Sequence, residues 1–122
     1  MEYFDSGDRE TLDVILHGSS KGIDMSESIQ KTFKTARELG RSVVTFNFPF
    51  VDRDEKRKNG GSLDEEIATL KEVLMKCGVT QYRKIRLIGK SLGGIVAAEY
   101  LAGLSVKEQE GFELVILGYI PG

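Results

Sequence analysis

Apolar positions along the chain fall into two alternating patterns. Short runs, Val14-Ile15-Leu16, Ser42 to Phe46, Ile85 to Ile88 and Leu114 to Leu117, read as strands covered on both faces. Between them the spacing changes to three and four. Met25, Ile29, Phe33, Ala36 and Leu39 make one stripe of a helix, and Leu63, Ile67, Leu70, Val73 and Leu74 make a second. A third helix is predicted from Ser91 to about Leu104. Asp24 with Glu27, and Ser62 with Glu65, have the spacing of capping boxes, and Gly40 and Gly78 read as helix stops. Residues Asn47 to Gly61 form a loop. Its middle, Asp52 to Lys58, is seven consecutive charged residues that no core could take in unpaired.

Strands alternating with helices predict an α/β fold, a three-layer sandwich with a parallel sheet of about four strands and helices on both faces. Numbering these strands along the chain, the expected order is 2-1-3-4, with a switch point between the first and third, where such sheets bind ligands. Residues 1–122 then form a single domain. Leu114 to Leu117 would be a flat apolar edge, so pairing with a second copy, exchange of segments through residues 114–117, or association with a missing remainder of the sheet is expected.

Charge narrows the classes of function. The chain has 122 residues, 17 Lys and Arg against 19 Asp and Glu, and a net charge of −2. That balance argues against a nucleic-acid partner or an anionic membrane surface. Arg53, Lys56, Arg57 and Lys58 are interleaved with acids, and with Arg83, Lys84 and Arg86 they read as solvated charge. The longest uncharged run, Ser42 to Val51, is ten residues, short of the ~18 that span a bilayer. The start, MEYFDSGDRE, has neither the basic nor the apolar region of a leader, and Cys77 stands alone, so a cytoplasmic location is expected. One histidine cannot build a His-rich metal site, and no metal or organic cofactor is expected.

The chemistry concentrates after the third strand, in Gly89-Lys90-Ser91-Leu92-Gly93-Gly94. A G-x-S-x-G segment between a strand and a helix has the context of a nucleophile elbow. Glycines at 89 and 93 let strand and helix close together, and Ser91 would project above the strand ends at a helix N-terminus. The Leu92 N–H would face the developing oxyanion. A phosphate-binding loop needs a glycine five residues before Gly89, where Lys84 stands, so that reading fails. His17-Gly18-Ser19 follows the first strand and would lie beside the elbow, which makes the Ser19 N–H a second oxyanion donor; plain loop polarity is the alternative for Ser19 and Ser20.

Four segments in order, HGSSKG, Asn47-Phe48-Pro49-Phe50, GKSLGG and Leu117-Gly118-Tyr119, resemble the α/β-hydrolase superfamily, most closely its dienelactone-hydrolase-like branch with an F-N-F-P-Y segment. The resemblance runs from about Leu12 to Gly122. It implies Ser91 as nucleophile, Leu92 and Ser19 as oxyanion donors, and His17 as a brace for the oxyanion loop. It also implies an acid and then a histidine after the serine. Here only Glu99, Glu108, Glu110 and Glu113 follow Ser91, at positions unsuited to the acid, and no histidine follows. His17 as base is disfavoured for want of an orienting carboxylate, and Lys90 because neighbouring side chains diverge at an elbow. Phe46, Phe48 and Phe50 read as core more readily than as an acyl-pocket wall. The expectation is a serine hydrolase acting on a small ester, thioester or other acyl bond, unfinished at its C-terminus and weakly active or inactive alone. The alternative is a non-catalytic binding or assembly module on the same scaffold.

Overall fold

A computed structural model describes residues 1–18, 27–53 and 62–117. Its strands are β1 (Glu2–Phe4), β2 (Thr11–Leu16), β3 (Ser42–Phe46), β4 (Lys84–Gly89) and β5 (Phe112–Ile116); its helices are α1 (Glu27–Glu38), α2 (Pro49–Asp52), α3 (Asp64–Lys76), α4 (Leu92–Ala102) and α5 (Val106–Gln109). The sheet order is β1-β3-β2-β4-β5. Strands β3, β2, β4 and β5 are parallel to one another, in the order expected of the four predicted strands. The addition is β1, which lies antiparallel on β3 and covers what the sequence reading left as an edge. Tyr3 and Tyr82 hydroxyls meet at 2.8 Å, tying β1 to the segment before β4.

The sheet separates two apolar layers. Leu12, Val14, Leu16, Val44, Phe46 and Leu87 face Leu70, Val73, Leu74, Val96 and Ala97 of α3 and α4. Ile15, Val43 and Ile88 face Ile29, Phe33 and Ala36 of α1. All three predicted aromatics, Phe46, Phe48 and Phe50, are buried in the first layer, so the core reading of them holds.

Helix ends follow local chemistry. After α1, the Arg41 N–H donates to Ala36 O and the Gly40 N–H to Arg37 O, a Schellman motif turned by Gly40 at φ 76°. That turn comes one residue after Leu39, which is exposed, so the predicted stripe ends at Ala36 and does not include Leu39. Gly78 has φ 67° after α3, as its position implied. The capping box at Ser62 is not what starts α3: Leu63 holds the cap position without a side-chain bond. The Ser62 hydroxyl instead accepts from the Asp64 N–H at 3.1 Å, and the Glu65 carboxylate pairs with Arg53. A complete capping box does form at Ser105 and Glu108, opening α5. The Asp24 box lies outside the described residues.

One charge sits in the middle of the sheet. Asp13 of β2 is 2% exposed, in register with Arg86 of β4, which is in register with Glu113 of β5. Arg41 and Arg86 approach the Asp13 carboxylate at 3.5 and 3.8 Å. Burial pushes the Asp13 carboxyl up to about 6, against the pull of Arg86.

Candidate active site

The C-terminal ends of β2 and β4 form the site, because their ladder continues one residue past Gly89. The Lys90 N–H donates to Leu16 O at 3.0 Å. The chain must then reverse at once to start α4, and Ser91 does so at φ 54°, ψ −116°. Among the described residues it is the one non-glycine with positive φ. A side chain held there is strained, and such strain gathers where a reactive group must stand proud of the backbone.

Two glycines make the reversal possible. A Cβ on Gly89 would sit 2.4 Å from Gly94 N, and one on Gly93 would sit 2.3 Å from Leu16 O and 2.8 Å from His17 O. The first turn of α4 therefore rests directly on the backbone end of β2. The Gly93 N–H bonds Lys90 O and the Gly94 N–H bonds Ser91 O, while the Leu92 N–H has no backbone partner among the described residues. Ser91 itself is exposed. A Cβ built on Gly18 would lie 3.5 Å from Ser91 Cβ, so the β2–α1 loop begins against the serine.

His17 is fully buried beneath this junction. Its Nε2 accepts from the Phe48 N–H at 2.9 Å, so the ring proton resides on Nδ1, 2.5 Å from Gly18 O, to which it donates. Its ring packs against Phe48 and Phe50, with centroids 4.6 and 5.8 Å away. Burial pulls the His17 pKa below the ordinary imidazole value, outweighing the bond to Gly18 O and the nearby Asp52 charge. The ring is neutral, and neither nitrogen is left to take a proton from Ser91. The Asn47–Phe50 segment thus contributes a backbone donor that sequence reasoning did not assign; its place in the resemblance was the signal available.

Ser91, Leu92, Gly89, Gly93, His17 and Gly18 are therefore brought together, while Ser19 lies outside the described residues. The acids after Ser91 stay away from it. Glu99 lies in α4, Glu108 caps α5, Glu110 follows α5, and Glu113 in β5 pairs with Lys84 and Arg86. Among the described residues no three His, Cys, Asp or Glu gather as a metal site, and no helix is long and apolar enough to cross a membrane.

A mostly parallel sheet with a strained serine between strand and helix at its switch point is the arrangement of an α/β-hydrolase domain. The sequence profile of the alpha/beta hydrolase domain matches residues 9–121, and the chain belongs to that family. Its fold is similar to that of a protein of unknown function from Agrobacterium tumefaciens, a candidate α/β hydrolase, at 16% identity and a TM-score of 0.68, covering 94% of this chain and 52% of that one. It is also similar to a Pyrococcus furiosus esterase in two crystal forms. These give 24% and 22% identity and TM-scores of 0.62 and 0.64, covering 84% of this chain and 40% and 41% of the esterase. The chain thus spans about half or less of the solved proteins it resembles. No curated protein sequence gives a significant match.

Proposed function

We propose that this chain carries the nucleophile and oxyanion side of a serine hydrolase acting on a small ester, thioester or other acyl bond. The conformation of Ser91 is the observation that supports this most directly. Attack of Ser91 Oγ on the acyl carbon transfers the hydroxyl proton to a base and gives a tetrahedral oxyanion. The Leu92 N–H at the start of α4, together with the Ser19 N–H, would hold that charge, and collapse expels the alcohol or thiol to leave an acyl-serine. Water then releases the acid. His17 serves as a positioning residue: it fixes the Gly18 carbonyl, and with it the start of the oxyanion loop. Among the described residues no base and acid stand beside Ser91, and the single histidine of the sequence is engaged on both nitrogens. No cofactor enters the step.

The engagement of His17 also favours a second reading, a binding module that keeps the elbow without turnover. A fluorophosphonate separates the two. Phosphonylation of the folded chain at Ser91, slow for want of a base but faster than in the denatured chain and abolished by Ser91→Ala, supports the hydrolase. A folded chain left unmodified while a control serine esterase is fully labelled supports the module, and labelling that survives Ser91→Ala overturns the elbow assignment.

A further inference from the structure

A helix about 10 Å across roofs about two strands of a sheet whose strands lie about 4.8 Å apart. Helix α1 packs on β2 and β3, so the strip of sheet added by β1 lies to one side of it. An open groove of about 500 Å³ runs between that strip and the C-terminal half of α1, lined by Phe4, Phe33, Lys34, Arg37 and Glu38. Sites for small organic molecules commonly have about 300–1,000 Å³. Phe4 is in register with Val43, near the start of β3. The groove therefore sits at the end of the sheet away from Ser91, on the side of α1 away from β5.

Its floor is aromatic. Phe33 is 8% exposed, and Phe4 packs against the layer that holds Ile15, Val43 and Ile88. Its rim is cationic. The Arg37 guanidinium lies over the Phe4 ring, 4.7 Å from the centroid. Stacking fixes the plane of the guanidinium and leaves its N–H edge for an anion. Among the described residues no carboxylate lies within ion-pair distance of Arg37, since Glu38 reaches back to Lys34 at 4.0 Å. Two cations against one acid leave a surplus of one positive charge beside the two rings. The end of α1 does not oppose an anion there, because the Thr35, Ala36 and Arg37 carbonyls accept from Leu39, Arg41 and Gly40 in the turn that follows.

We infer that this groove binds an organic anion with a flat apolar body and a single carboxylate. The body lies against Phe4 and Phe33. The carboxylate accepts from the N–H edge of Arg37, and Lys34 adds its charge. The surplus of one charge matches one carboxylate, whereas a phosphate dianion exceeds it and has nothing to bury against the rings.

The test is a titration of the isotope-labelled full chain with cinnamate, followed by backbone amide shifts. Saturable shifts are expected at Phe4, Phe33, Lys34 and Arg37, with a Kd on the order of 1 mM for a ligand of this size. Cinnamyl alcohol, which keeps the ring and lacks the charge, should bind about fivefold more weakly. Cinnamate should lose about the same factor with Arg37→Gln, a change at an exposed helix position. Should that variant fail to fold, the comparison of acid and alcohol on the unmodified chain decides. Four results overturn the inference: shifts that do not saturate at about tenfold the expected Kd, shifts centred on residues 89–93, equal affinity for the alcohol or in the folded variant, and the same shifts produced by inorganic phosphate.

Discussion

Replacing Ser91 by glycine should stabilise the protein, although glycine is normally the costlier residue. At φ 54° and ψ −116° the serine side chain is held in a sparsely allowed region, which costs about 1–3 kcal/mol. Glycine removes that strain but adds back about 0.5–1 kcal/mol of unfolded-state entropy. The net gain is then about 1 kcal/mol. Ser91→Ala is the proper reference, since it deletes the hydroxyl and keeps the Cβ and its strain. With an unfolding entropy of about 2.1 cal/mol/K per residue, 122 residues give about 4 °C of Tm per kcal/mol. Urea denaturation of the two variants at matched concentration should show Ser91→Gly the more stable by about 1 kcal/mol, with equal m-values. If Ser91→Gly is instead the weaker by about 0.5–1 kcal/mol, the ordinary penalty of glycine holds, and the serine stores no strain.

Two further predictions follow from contacts elsewhere. Gly93→Ala drives a Cβ to 2.3 Å from Leu16 O, a backbone atom that cannot turn aside, and should lose about 1–3 kcal/mol or more. Gly94→Ala meets only the mobile end of Ile116 at 2.9 Å and should cost much less; equal losses in thermal melts would show that α4 does not rest on β2. Asp13 is protonated more readily folded than unfolded, so its contribution is greatest below pH 4 and declines as pH rises through about 6, by up to ~3 kcal/mol. Asp5, which the Arg9 hydrogen bond lowers to about 2, keeps its contribution above pH 4. His17, whose pKa burial lowers, contributes an opposing rise toward neutral pH in both proteins, so the test is the difference. Between pH 4.5 and 7 the unmodified chain should lose stability relative to Asp13→Asn, and parallel curves would refute the burial argument.

Strands β2, β3 and β4 were legible because each is an apolar run covered on both faces, and that covering is the physics such a run reports. Strand β5 has the same kind of run, but Leu114 and Ile116 stay exposed, against the expectation that both its faces are covered. The elbow was legible because only glycine fits at 89 and 93. What escaped was set by distant partners. The three residues of β1 carry almost no pattern of their own and form a strand because β3 offers them an edge. Ser62 and Glu65 have the right spacing for a cap, but Arg53, twelve positions before Glu65, takes the carboxylate. Asp13 escaped because a reading of one strand at a time counts only the apolar run beside it. The available signal was a charge at the matching place in three strands, Asp13, Arg86 and Glu113. At the site, sequence order placed His17 near Ser91, but only the Phe48 amide on its Nε2 shows how the ring is used.

The seat of α4 on β2 also bears on folding. The two strands that meet beneath Ser91 pair Thr11 with Lys84, residues seventy-three positions apart, with α1, β3 and α3 between them. Closing so long a segment is entropically slow, so the β2–β4 seam forms late relative to the local helices. Until it closes, Ser91 is an ordinary, relaxed serine in a flexible Gly-rich stretch. Its strained backbone is a property of the completed sheet, so the strain appears when the β2–β4 seam closes and is released when that seam opens.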